Sequence, residues 1–446
     1  MNGYRWRLTI RDEMTVLACD GSMTIVTQTP SYALGAMIAL GTERLSIPRN
    51  VGGIPMIKDF SVLYAGHVLE GDGIGFDGIP ANDRWYDNDR LSMALDIARE
   101  AAVFLDDLGF DILWMAEHHF QREGYECIPN LLIMSQYLAQ HTNRIKFGCG
   151  FNILPMWHPI RLAEDFAMVD ILTEGRVVFG IGRGYHTREV ESFGAPMIDG
   201  DANRELFEEQ FEIMMKAFNS DAFSHQGKHY TIPPDIPYRG YDLKEVTLVP
   251  RPRTRPVDVW QPIVSASDRA LDFMAKWGIK GVILGTGEQY VEEWVQRYKA
   301  ANQRAGRELA LGEGLCIGLW AMVDDSTAAA RRQLQPLFEE HVKFAAPLGM
   351  LRYSDQQISA TGPGGVARHI AAGTDFQDVI DNRAWFAGSP EDTIAYLEEL
   401  QEKYPGLEQI MIAFPMGATT NQFKDQMGRF AAEVIPHFKK QATSNV

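Results

Sequence analysis

Three short stretches concentrate side chains that can move protons or hold anions. Trp114-Met115-Ala116-Glu117-His118-His119-Phe120 sets a carboxylate beside two imidazoles. A buried histidine next to a carboxylate can sit near neutrality, suited to acid–base work or to donating toward a developing oxyanion. Phe179-Gly180-Ile181-Gly182-Arg183-Gly184-Tyr185 brings glycines, which admit a ligand close to the backbone, and a planar guanidinium that matches phosphate or carboxylate. Val264-Ser265-Ala266-Ser267-Asp268-Arg269 places hydroxyls and free N–H groups at a helix start, a seat for a phosphate monoester.

Each stretch also has an ordinary explanation. The histidines can be a hydrogen-bonded structural pair, the glycines turn punctuation, and Ser267 a plain N-cap. A metal reading would recruit His158 and His186 as well, but adjacent histidines rarely share an ion and the H-E-x-x-H spacing is missing. No metal is expected. The glycine stretch reads G-x-G-x-G, not G-x-G-x-x-G, so a dinucleotide fold has little support.

The elements that must position these residues alternate short β-rich runs with helical ones from Met56 onward. The pattern predicts strands at Phe60–Tyr64, Ile112–Met115, Ile145–Phe151, Val177–Ile181, Val259–Val264, Gly281–Leu284, Leu315–Met322 and Gln409–Phe414. Helices are predicted at Leu91–Leu108, Asn130–His141, Pro159–Leu172, Asn203–Phe218, Asp268–Trp277, Glu288–Ala305, Ser326–Phe344, Pro390–Glu402 and Gln422–Phe438. Eight such repeats fit an α/β fold, a (β/α)8 TIM barrel with long insertion loops, as a single domain over 56–446. The three stretches then fall at C-terminal strand ends, where barrels do their chemistry. Together they describe a phosphate seat after the fifth strand, a glycine wall after the fourth and an ionisable pair after the second. A phosphate-bearing, ring-shaped cofactor such as FMN would fill that arrangement. Two long loops, Gly71–Trp85 and the span from Ala345 to Trp385 around Thr361-Gly362-Pro363-Gly364-Gly365, are candidate lids or binding walls.

Residues 1–55 read as an N-terminal extension, poorly ordered, with an apolar patch at Tyr32–Leu40 and a breaker-rich linker at Ile47–Pro55. The patch sits too late, behind Asp12, Glu13 and Asp20, for a secretory signal. The 446 residues carry 42 basic and 59 acidic side chains, a net charge of −17, which disfavours nucleic acid and anionic membrane surfaces as partners. No apolar run is long enough to span a bilayer. Four scattered cysteines (Cys19, Cys127, Cys149 and Cys316) with no C-x-x-C pair suit a reducing compartment, and a cytoplasmic location is expected.

At these residues the chain resembles the bacterial luciferase-like flavin monooxygenases, in particular the alkanal monooxygenase α-chain type. The matching motifs are Ala116-Glu117-His118-His119-Phe120, Leu154-Pro155 with His158-Pro159, Ala163-Glu164-Asp165, Gly175-Arg176, Phe179 to Gly184, and Phe193-Gly194. Ser265-Ala266-Ser267 and Gly388-Ser389-Pro390-Glu391 fit later motifs, so the likeness covers most of residues 56 to 446. It implies a barrel that binds reduced FMN delivered by a separate reductase. Dioxygen then adds at the flavin C4a, and the resulting peroxide oxidises an organic substrate. His118 matches the catalytic histidine, and Gly150-Phe151 the site of a non-proline cis peptide under the isoalloxazine ring. Arg183 and Tyr185 match positions near the phosphate, Ser267 matches a phosphate-binding serine, and Ser265 and Ala266 line the flavin. Glu117, Trp157 and His158 are candidates for the substrate pocket, and Trp114, Met115, Phe120, Phe151, Met156 and Trp157 for a water-excluding shield. Gly182 stands where the luciferases carry a reactive cysteine, which argues against light emission.

The expected function is FMNH2-dependent monooxygenation of a small apolar molecule: an aldehyde, alkane, terpene or ketone. Two alternatives keep the fold: hydride transfer with the deazaflavin F420, and a non-catalytic barrel subunit like the luciferase β-chain. The resemblance also implies a homodimer pairing through Asn130–His141 and Pro159–Leu172.

Overall fold

Along the strand-forming runs, successive side chains enter two different apolar surroundings, as the two-residue period of a β-strand requires. Ile112, Trp114, Val178, Trp260, Val282, Cys316 and Met411 form one buried cluster, inside the sheet. Their strand neighbours, Leu113, Met115, Phe179, Ile283, Ile317, Ile410 and Ile412 among them, join the larger cluster shared with the helices. A sheet apolar on both faces must be covered outside and filled inside, and a closed barrel does both.

The computed structural model describes residues 57–71, 73–359 and 374–444, together with the strands Arg7–Ile10, Met14–Cys19 and Ser22–Thr27. Two compact units are present, Met1–Gly52 and Gly53–Val446. In the first, the three strands form an antiparallel sheet in chain order. The apolar patch at 32–40, the linker at 47–55 and the 361–365 segment lie outside the described residues.

In the second unit, among the described residues, eight parallel strands close on themselves. They are β1 (Asp59–Tyr64), β2 (Ile112–Met115), β3 (Lys146–Cys149), β4 (Val177–Gly182), β5 (Val259–Pro262), β6 (Lys280–Leu284), β7 (Leu315–Val323) and β8 (Gln409–Ala413). Each pairs with its chain neighbours, β8 returns to β1, and Val259-Trp260 pairs with Phe179-Gly180 to join β4 to β5. Outside run α1 (Asn88–Leu108), α2 (Leu131–Ala139), α3 (Pro159–Leu172), α4 (Gly200–Asn219), α5 (Asp268–Trp277), α6 (Glu288–Arg304), α7 (Thr327–Ala345), α8 (Pro390–Lys403) and α9 (Thr420–Arg429).

Local chemistry sets the helix ends. Asp87, Asn130, Asp199 and Ser326 cap helices with their side chains, and Ser389 does so in a capping box with Asp392. Gly109 and Gly278 take the left-handed conformation that stops α1 and α5. The predicted strands at 145–151 and 259–264 are shorter than expected, because the chain leaves the sheet at Gly150 and after Pro262 to build the barrel mouth. A further strand, Trp385–Gly388, was not foreseen. It pairs with Trp320–Val323 at the end of β7 and with α8 forms an extra βα unit ahead of β8. The closing helix is three pieces, with a π-helical turn at Phe430–Val434 between α9 and Ile435–Ser444.

Gly180 shows how tightly β4 approaches the mouth, since an added Cβ would lie 1.8 Å from the carbonyl oxygen of Cys149. Backbone cannot swing aside as a side chain does. Gly180→Ala is therefore expected to destabilise the barrel by about 1–3 kcal/mol or more. An unchanged denaturant midpoint would contradict this packing.

Candidate functional site

The C-terminal ends of the strands surround a cavity of about 420 Å³, within the usual range for a small-molecule site. Adjacent strand residues cannot both face inward, but β2 ends at Met115, which frees Glu117 and His118 to line the cavity together. Gly150, Phe151, Arg183, Tyr185, Ser265 and Ala266 also line it. The Gly150–Phe151 peptide is cis and not at a proline, as the resemblance implies.

Glu117 is committed to scaffolding. One carboxylate oxygen accepts from the Ile153 N–H at 2.7 Å, and the other from Trp157 Nε1 at 2.8 Å, with His119 Nε2 at 3.3 Å. Trp157 and His158 do not line the cavity. The indole is drawn to Glu117, and His158 sits exposed before α3, edge-on to Tyr230 at 5.5 Å. The expected shield is only partly assembled: Trp114 and Phe151 line the cavity, Met115 is in the core, and Phe120 is 55% exposed.

His118 is held on both sides. Its Nδ1 lies 3.2 Å from Glu189, and its Nε2 lies 3.2 Å from Glu126 and 3.1 Å from the Tyr185 hydroxyl. Burial opposes a charge on this ring, yet Glu126 and Glu189 outweigh it and push the imidazolium up to about 9. The near-neutral value expected from sequence is thus displaced toward the protonated form. Burial likewise opposes charge on Glu189, and His118 overcomes it, holding the carboxyl down to about 2. Gln121 Nε2 donates to Glu189 at 3.0 Å, and His186 Nε2 stands 3.4 Å from Glu126. Among the described residues, His118, Glu126 and His186 offer ligand atoms within 4.8 Å of one another, close enough to hold a metal ion. Here the His118 nitrogens face Glu189, Glu126 and Tyr185, a proton-sharing network. The Tyr185 side chain belongs to this network and not to the arginine end of the cavity.

At the opposite end, Arg183 and Arg204 both line the cavity. Burial lowers the pKa of Arg183 to about 10, with the like charge of Arg204 adding to it, and burial lowers that of Arg204 too. Glu208, 3.8 Å from Arg204, balances them only in part, so the two guanidinium groups still favour an anion between them. Ser267 is the N-cap of α5, but its side chain makes no capping bond, so the hydroxyl remains available. Ser267 itself does not line the cavity; it stands beside Ala266, which does and which holds a positive φ of 45°. The sequence reading missed Glu126, Glu189 and Arg204, and named His186 only in the metal reading that it set aside. The signal for the first was faint: Glu126 lies eight residues beyond His118, in a loop that returns so that the His118 N–H donates to the Ile128 carbonyl.

Residues 79–405 match the family model described as luciferase-like monooxygenase, and the chain belongs to that family. A limonene 1,2-monooxygenase of Rhodococcus erythropolis is 26% identical over 345 residues, 76% of this chain and 80% of that protein. Two uncharacterized proteins of Sinorhizobium fredii are 33% and 36% identical, over 30% and 38% of this chain, and the chain spans only 37% and 42% of their length. Among solved structures, the oxygenating constituent of 3,6-diketocamphane monooxygenase from Pseudomonas putida, in complex with FMN, has a TM-score of 0.65 at 19% identity, covering 86% of this chain and 98% of that one. An F420-dependent secondary alcohol dehydrogenase has a TM-score of 0.58 at 14% identity over 85% of this chain and 98% of its own.

The charge pattern has a pH signature. The folded-state pKa of His118, about 9, exceeds the unfolded value of roughly 6.5. Its ion pairs therefore stabilise the fold fully below about pH 6.5, and that contribution is lost as pH rises through 9. Glu189 works in the other direction: its contribution is present above about pH 4.3 and fades as pH falls toward its depressed pKa. Thermal midpoints measured from about pH 6.5 to pH 9.5 should fall more for the wild type than for His118→Asn. Parallel curves would show that His118 is not charged in the fold.

Proposed function

We propose that this protein is an FMNH2-dependent monooxygenase that oxidises a small, mainly apolar organic molecule, with reduced flavin supplied by a separate reductase. The observation that carries this reading is one cavity lined together by Arg183 and Arg204, by the glycines Gly150, Gly182 and Gly184, and by His118. The residues fit the cofactor. Arg183, Arg204 and the uncapped Ser267 would hold the phosphate, Ser265 and Ala266 would flank the chain beyond it, and Gly150-Phe151 would lie under the ring. Gly182 leaves room there, since a Cβ at that position would meet the Phe151 side chain at 3.3 Å. Bound reduced FMN supplies the activation of dioxygen and the transfer of one oxygen atom.

The chain's own residues divide the remaining work. His118 holds a proton at Nε2, next to the Tyr185 hydroxyl and Glu126, and can deliver it into the cavity. Glu189 fixes the ring from Nδ1 and keeps it charged. Trp114, Phe151, Trp320, Phe344 and Met350 line the cavity and keep its walls dry. The name of the diketocamphane protein, an oxygenating constituent, supports delivery of reduced flavin by another component. The fold neighbour that uses F420 keeps hydride transfer with that deazaflavin as the second reading.

No helix among the described residues is long and apolar enough to cross a membrane. The thiols of Cys127, Cys149 and Cys316 are free, which fits a cytoplasmic location. We also propose a homodimer through α2 and α3, which expose Ile133 (69%), Met168 (50%) and Leu172 (53%). Light scattering should give twice the monomer mass, and the double substitution Ile133→Glu with Met168→Glu should halve it.

Titration with reduced FMN and with reduced F420 under argon tests the cofactor, and binding of F420 alone would overturn the FMN reading. Ser267→Ala should weaken FMN binding. His118→Ala should leave FMN affinity intact and lower turnover about 10²–10⁴-fold, and an unchanged rate would remove His118 from the chemistry.

A further inference from the structure

Arg352 follows α7, and its side chain reaches the cavity wall formed by His341, Phe344, Leu348 and Met350. The residue is only 7% exposed. Its Nη2 donates to Met350 Sδ at 3.6 Å, and its Nε has no hydrogen-bond partner. Among the described residues no carboxylate pairs with it. The groups that favour its charge are the hydroxyls of Tyr353 and Tyr185, while burial drives its pKa down to about 10. The segment 360–373 contains no Asp or Glu in its sequence. The other buried arginine among the described residues, Arg84, follows the ordinary rule: its side chain meets Glu340 at 3.0 Å, both completely buried.

A buried guanidinium without an acid stays charged at neutral pH and is costly unless a ligand completes it. His341, which shares the wall, cannot be that complement. Burial and the Arg352 charge lower its pKa to about 3, so it stays neutral, and it supplies no negative charge. Tyr185 lies near both His118 and Arg352: its hydroxyl is 3.1 Å from His118 Nε2, and the Arg352 charge acts on it.

We infer that Arg352 is the seat for a carboxylate on the organic substrate, so the substrate class is a small apolar molecule bearing an acid group. This rests on the flavin reading, which assigns the Arg183–Arg204 end to the cofactor phosphate and leaves the Arg352 end to the substrate. The apolar body would lie against Trp320, Phe344 and Met350, with the carboxylate on the guanidinium and the reacting carbon toward His118.

The test uses cyclohexanecarboxylate and its neutral counterpart cyclohexanecarboxamide, titrated calorimetrically into protein saturated with FMN so that the phosphate seat is filled. The acid should bind the wild type at least tenfold tighter than the amide. Arg352→Met and Arg352→Gln should abolish that preference while FMN affinity stays within twofold. Equal binding of acid and amide to the wild type, a comparison that needs no variant, would overturn the inference. So would an acid preference that survives Arg352→Met, or loss of FMN binding in that variant, which would make Arg352 a cofactor ligand. A second titration with reduced FMN under argon separates substrate from product: acid binding confined to the oxidised form would assign the anion to a product and overturn the substrate assignment. If the wild type binds no FMN at all, the flavin reading fails by itself. The acid–amide comparison, repeated with saturating inorganic phosphate, then decides the role of Arg352 alone.

Discussion

The barrel mouth depends on one buried carboxylate. Glu117 leaves β2 just beyond the last strand residue and spends both oxygens on the β3–α3 connection, at the Ile153 N–H and the Trp157 indole. A buried acid in this position is tolerable only because each oxygen meets a donor. The bonds pin the segment that carries Gly150-Phe151 against the strand that delivers His118. Gly150-Phe151 and His118 are thereby held in one frame, and the glycines of β4 pack closely against Cys149 and Phe151.

On that frame the site separates two kinds of positive charge. His118 is surrounded by acids, which make its proton abundant and keep it in place. Among the described residues Arg183 and Arg352 have no ion pair and Arg204 has only Glu208 at 3.8 Å, and burial lowers all three. Charges of the first kind suit proton traffic under the proposed function, because partner and proton stay inside the protein. Those of the second kind recruit what the protein does not supply. This arrangement sits inside a molecule of net charge −17, so attraction for anions is local to the cavity and is not a property of the outer surface.

The fold was legible because its signals are local. All eight barrel strands fall where β-rich runs meet turn residues, α3 begins at its proline and α5 ends at its glycine. The extra strand Trp385–Gly388 was not, because four residues carry too little periodicity to stand out from a long loop. In the site, His118, Arg183 and the serine stretch announce themselves by residue type and strand-end position. Glu126 and Glu189 do not: they are ordinary acidic residues in sequence, and only the return of two loops past β2 gives them a histidine to face. Trp157 and His158 misled for a related reason. A motif marks which residues matter, while the side-chain direction that separates a wall from a buttress is settled by tertiary contacts.

The Glu340 carboxylate on α7 has a wider reach than its pairing with Arg84 suggests. It also accepts from the Tyr125 hydroxyl at 2.6 Å, from the Gly75 N–H at 3.0 Å and from Lys343 at 2.7 Å. Two connections, those after β1 and after β2, are thus riveted to the same stretch of α7 that supplies His341 and Phe344 to the cavity. Three parts of the rim therefore yield together or not at all. On that side the cavity wall is therefore built on one carboxylate, and the bulk of Phe344 is carried on the helix that holds it.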